Sequence, residues 1–157
     1  MNEVSGSSKK RINSGFAVGL IATILMITVH LVLLLIFQGS TRGDWIAHII
    51  QLLVYFVASQ SAAQQQYNAQ ERSIEALRGV RGAGMGAAIT VSILMWIFIL
   101  VRNLILDAIG QLVYFEAIST FCTVVVDVLL AIALGTWGGS IVEKKYKAGD
   151  IYDSSNF

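Results

Sequence analysis

The sequence has no proline in 157 residues and a single cysteine, Cys122. At an average usage of roughly 5%, about eight prolines would be expected in a chain of this length. Proline kinks helices because it lacks an N–H and clashes with the preceding turn. Its absence predicts unkinked helices, and argues against the proline-broken spans that many secondary transporters use. The lone cysteine excludes an internal disulfide framework, and Cys122 reads as a small packing residue rather than a nucleophile. No N-x-S/T sequon is present, so there is no glycosylation signal.

Charge is scarce too. Charged residues make up 13% of the chain, against about 25% in a soluble domain. That density leaves too little polar surface to cover a soluble globule. The 11 Lys and Arg are scattered and the net charge is +1, so no basic face for nucleic acid can be built. No Ser/His/Asp or Cys/His set, metal-ligand spacing or phosphate loop is present. We therefore expect no enzyme, no metal and no cofactor. His30 and His48 lie at similar depth on consecutive spans, as haem or chlorophyll ligands would. Adjacent helices pack about 8–10 Å apart, which is tight for a macrocycle between them.

What fills the sequence is apolar: 55% of residues are hydrophobic and the mean hydropathy is +0.69. Residues 1–15 read as a polar tail ending in a basic run. Residues 16–37 carry no charge and are long enough to cross about 30 Å of hydrocarbon at 1.5 Å per residue. A signal peptide would have a shorter apolar region and an A-x-A-like cleavage site, which the end of this run lacks. Further spans are expected at about 45–63, 83–101 and 112–137, inside a transmembrane domain over 16–138, with a polar tail over 139–157. The connection 64–82 has helix-like spacing of Tyr67, Ile74, Leu77 and Val80, and reads as an extension of the second span. The expected fold is all-α: an antiparallel bundle of four transmembrane helices. Gly82, Gly84, Gly86 and Ala88 open the third span at four-residue spacing, which allows close helix approach in lipid.

Lys and Arg near the span ends set orientation. Lys9, Lys10 and Arg11 precede the first span; Arg72, Arg78 and Arg81 lie in the middle connection; Lys144, Lys145 and Lys147 follow the last span. The two short links carry Arg42 and Arg102 alone. Both termini and the middle connection should therefore be cytoplasmic, in a multi-pass protein of the plasma (inner) membrane.

An ionisable residue inside a span is expensive and hence a candidate for function. Asp127 lies ten residues before Trp137, about 15 Å in and near the midplane. Glu116 and Arg102 fall near the outer boundary, where they are expected to pair. Glu116, Thr120, Thr123 and Asp127 share one stripe of the fourth span. His48, Gln51, Tyr55 and Ser59 share one stripe of the second, and Thr23 shares a face with His30 on the first. In lipid these stripes should turn inward, making a polar line that descends to Asp127. With no Lys or Arg at its depth, Asp127 is expected to hold a proton and donate to Thr123 or Tyr55. Two functions fit: a structural or accessory subunit of a membrane complex or homo-oligomer, with the lipid bilayer and other membrane subunits or itself as partners; or a small proton- or cation-conducting channel or transporter using Asp127.

The orientation has a direct test. Cysteines introduced at Ser40 and Asn103 should react with membrane-impermeant thiol reagents from outside, and those at Ser73 and Ser154 only after the membrane is opened. Labelling of Ser73→Cys in intact cells would contradict it.

Overall fold

The computed structural model describes residues 14–37, 41–69, 74–110 and 117–154. They form four helices: α1 (Ser14–Ile36), α2 (Thr41–Ala69), α3 (Ile74–Ala108) and α4 (Ala117–Ser154). Each contains a stretch long and apolar enough to cross a membrane, so the chain is an all-helical, multi-pass membrane protein. No cis peptide or proline interrupts them.

The helices run further than the apolar stretches alone suggest. α2 continues to Ala69 and α3 opens at Ile74, so the described part of the 64–82 connection is divided between two helices rather than extending one. α3 also absorbs most of the link expected after Arg102, and stops where Gly110 adopts φ +80°. The Gly110 N–H returns to the Asp107 carbonyl at 2.9 Å, the left-handed glycine ending usual for helices. The stretch after Gly138-Gly139, read as a polar tail, is helical through Ser154. The physical reason is a second small core beyond the apolar spans. Val142 packs there with Ala63, Tyr67, Leu77 and Val80, and the Tyr146 ring stacks on Tyr67 at 3.9 Å.

Side-chain contacts fix the directions. Ser14, at the start of α1, bonds Gln66 near the end of α2 (2.8 Å). Asp44, at the start of α2, meets Arg102 near the end of α3 (3.4 Å). Arg81, at the start of α3, meets Glu143 in the second half of α4. Neighbours in sequence are thus antiparallel. α2 and α3 form the central pair, and each packs against both α1 and α4. Among the described residues α1 and α4 do not touch. The main core lies on this central pair, with Tyr55, Val91 and Met95 fully buried against Met26 of α1 and Ala131 of α4.

α3 and α4 cross almost backbone to backbone. A Cβ on Gly84 would lie 2.9 Å from the Gly135 carbonyl oxygen and 3.1 Å from that of Ser59. One on Gly135 would lie 2.9 Å from Ala88 Cβ and from Met85 Cα, and one on Gly139 would lie 2.9 Å from Arg81 Cα. Gly84 and Ala88 of the expected small-residue set therefore stand at the crossing. Gly82 does not, since it is exposed with open space around it, and Gly86 reaches only Gly15 Cα, at 4.0 Å. Of the facing pair, Gly135 lies near the end of the span read from sequence, and Gly139 at the start of the stretch read as a polar tail. Gly19 makes a comparable approach between α1 and α3, against the Ala87 carbonyl.

Gly84→Ala should lower stability by about 1–3 kcal/mol, because the obstructing atoms are backbone and cannot swing aside. Gly82→Ala should be neutral or stabilise by roughly 0.5–1 kcal/mol through helix propensity. Reversible unfolding in mixed micelles, followed by circular dichroism, separates the two. Equal effects would contradict the crossing.

Candidate functional site

Asp127 of α4 is 6% exposed. Its Oδ2 accepts hydrogen bonds from four side chains: Tyr55 Oη at 2.6 Å, Ser92 Oγ at 2.8 Å, Trp96 Nε1 at 3.0 Å and Gln51 Nε2 at 3.3 Å. Gln51 also donates to the Tyr55 hydroxyl. Gln51 and Tyr55 stand one turn apart on α2, and Ser92 and Trp96 one turn apart on α3, so each helix presents two donors at the same level. An indole N–H has no acceptor capacity, so Oδ2 is an acceptor. This corrects the expectation that Asp127 donates to Tyr55. Tyr55 is the donor. No Lys or Arg is among these partners.

The level of the site follows from α3. Arg81 and Arg102 are 21 residues apart on that helix, about 31 Å at the α-helical rise. That is the thickness of a hydrocarbon core. Ser92 lies halfway between them, so Asp127 is bound near the middle of the apolar stretch of α3.

A second polar group closes the Arg102 end. Arg102 Nη1 lies 2.5 Å from His30 Nε2 of α1 and 3.4 Å from Asp44 Oδ1 of α2. Its Nε and Nη2 hold Asn103 Oδ1 at 3.2 and 3.1 Å. The expected Arg102–Glu116 pair falls on Glu116, which lies outside the described residues. Among the described residues, Arg102 makes an ion pair with Asp44. His30 is 3% exposed, and its Nδ1 has no partner among the described residues. Its edge meets the Phe98 ring at 5.7 Å.

His48 does not join the Asp127 hydrogen bonds. Its Nδ1 pairs with the backbone carbonyl of Asp44 at 2.8 Å, and its ring meets that of Trp96 at 6.4 Å. With Asp44, Trp45 and Thr123 it lines a cavity of about 330 Å³ between α2 and α4. Thr123 is exposed there, one turn from Asp127 along α4. Thr23 is buried but bonds its own helix at Gly19 O, 2.8 Å away. The polar stripe of α1 thus leads to Arg102 and not to Asp127. Cys122 is exposed and not the packing residue expected.

At the opposite end Glu143 of α4 joins Arg81 of α3 and, at 2.6 Å, Lys147 one turn along α4. Among the described residues no group of three or more His, Cys, Asp and Glu side chains is placed to hold a metal ion. Sequence reasoning found Asp127, Gln51 and Tyr55. It missed Ser92 and Trp96, whose only signal was their one-turn spacing in an otherwise apolar span. It also missed Asp44, read as part of a link.

A scan against protein-family models and comparisons with curated proteins and with solved structures find no match for this chain. The class defined by fold and site is a four-helix membrane protein with a buried, hydrogen-bonded carboxyl at its centre.

Each lost donor should cost about 1 kcal/mol: Trp96→Phe and Ser92→Ala should each destabilise by that order. Asp127→Leu should cost more than either, because it leaves buried donors on two helices without an acceptor, at about 1–3 kcal/mol for each one stranded. Unfolding titrations in mixed micelles measure these values. A wild-type midpoint for Asp127→Leu would contradict the network.

Proposed function

We propose that this chain is a small integral membrane subunit, part of a larger membrane complex or a homo-oligomer, with both termini on the cytoplasmic side of the plasma (inner) membrane. The observation that carries this reading is the engagement of Asp127. Its Oδ2 is occupied by four donors from the same chain, which suits a carboxyl that fixes helix register. α1 and α4, on opposite sides of the central pair, expose broad apolar faces such as Ile24 and Leu35 on α1 and Phe121 and Leu129 on α4. These face lipid or a neighbouring subunit. In this reading the protein is not an enzyme.

A second reading draws on the cavity. The space lined by Asp44, Trp45, His48 and Thr123 lies toward the Arg102 end, which the distribution of Lys and Arg makes the outer side. His48 touches Trp96, and Trp96 donates to Asp127. A proton or cation entering from outside would meet these groups in that order.

Gentle solubilisation followed by native mass spectrometry distinguishes the two. The subunit reading expects the 17.1 kDa chain to travel with a partner or in multiples of its own mass. A monomer that supports ion flux when pure in liposomes, with flux abolished by Asp127→Asn, would overturn it in favour of the second reading.

A further inference from the structure

We propose that His30 is a proton-binding site operating a latch that holds the Arg102 end of α1 against α3. The inference does not depend on which reading of Asp127 holds, because it concerns a separate cluster about two turns nearer that end.

In the structure Arg102 Nη1 lies 2.5 Å from His30 Nε2. A guanidinium can only donate, so Nε2 is the acceptor and the ring is neutral, with its proton on Nδ1. That Nδ1 is buried and has no partner among the described residues. One contact, the lone pair on Nε2, therefore ties the polar side of this imidazole to α3. Asp44 Oδ1 stands 3.6 Å from the same Nε2 and 3.4 Å from Arg102 Nη1. The carboxylate is thus poised between two groups, of which one is always a cation and the other becomes one on protonation.

Adding a proton to Nε2 removes the acceptor and sets an imidazolium against a guanidinium. The two cannot keep that contact. The new Nε2–H is instead within a small movement of Asp44 Oδ1, so the imidazolium takes the carboxylate and Arg102 gives it up. The proton comes from the water at the Arg102 end, and no bond other than N–H is made. The groups facing His30 are Asp44 and His48 from α2 and Arg102 and Phe98 from α3. His48 keeps its Nδ1 on a backbone carbonyl and makes no hydrogen bond to His30 among the described residues. α4 does not touch α1 among the described residues.

The consequence falls on α1. In the other half of the helix Gly19 seats against Ala87 and Thr90, and Ser14 bonds Gln66. At this end, among the described residues, the polar contact of α1 with α3 is that of His30 with Arg102. Acidification on that side should release the end of α1 from α3 while its other half stays seated.

The test is a distance measurement on the full chain in lipid nanodiscs. Spin labels are placed at Ile36→Cys on α1 and Ile105→Cys on α3, both exposed positions, in a Cys122→Ser background. Between about pH 8 and about pH 5, where imidazoles titrate, the label separation should lengthen or broaden in one single-proton transition. His30→Gln keeps an acceptor for Arg102 but cannot take the proton, and it should hold the high-pH distance throughout. His48→Gln should titrate like the parent. An invariant parent distance, or a His30→Gln protein that shifts as the parent does, would overturn the latch. Should His30→Gln fail to fold, ¹⁵N NMR of the parent decides. Its two histidines are assigned through His48→Gln, and a His30 ring still neutral at about pH 5 would overturn the proposal.

Discussion

Everything in this fold turns on one oxygen atom, Asp127 Oδ2, and the four donors that surround it. A carboxyl at the middle of an apolar slab is costly unless its lone pairs are used. Tyr55, Gln51, Ser92 and Trp96 use them, and in doing so they fix three helices in register. If α2 slid by one residue against α3, its two donors would rotate away from the acceptor. If α4 turned, the acceptor would leave all four. Apolar packing in lipid supplies little such discrimination, because lipid tails are as apolar as the side chains they replace.

The surrounding packing is shaped by that constraint. The α3–α4 crossing at Gly84, Gly135 and Gly139 brings the two backbones close enough for a short aspartate on α4 to reach Ser92 on α3. Charged clusters stand toward either end of the slab. Arg102 with Asp44 and His30 occupies one, and Glu143 with Arg81 and Lys147 the other. The separation of Arg81 and Arg102 along α3, about 31 Å by helical rise, matches the hydrocarbon core. The polar groups thus form three levels: two near the boundaries, one at the centre, with apolar contact between.

The number of long apolar helices was legible in the sequence because length and absence of charge are local properties. So was the stripe of Gln51 and Tyr55, since helical spacing places both on one face. Asp127 stood out by cost alone. Ser92 and Trp96 did not, because a serine and a tryptophan in an apolar run look like ordinary composition. Only the approach of α4 reveals their partner. Arg102 was matched by depth with Glu116, which lies outside the described residues; among those, it pairs with Asp44, which begins α2 instead of sitting in a link. Gly138-Gly139 looked like an ending, but in a chain without proline the helix runs on, held by Val142 and Tyr146 against Tyr67. The partners missed were in each case on another helix, where no one-dimensional pattern points.

The most direct measurement of the Asp127 hub is hydrogen exchange at the three tryptophan indoles in lipid bilayers, read by ¹⁵N–¹H solid-state NMR in D₂O. Trp45 and Trp137 are exposed, at 73% and 59%, whereas the Trp96 indole N–H is buried and committed to Asp127 Oδ2. The account predicts that Trp96 exchanges far more slowly than the other two, and that Asp127→Leu selectively shifts its ¹⁵N–¹H resonance. A Trp96 indole that exchanges as fast as Trp45 and Trp137, with a resonance indifferent to Asp127→Leu, would contradict it.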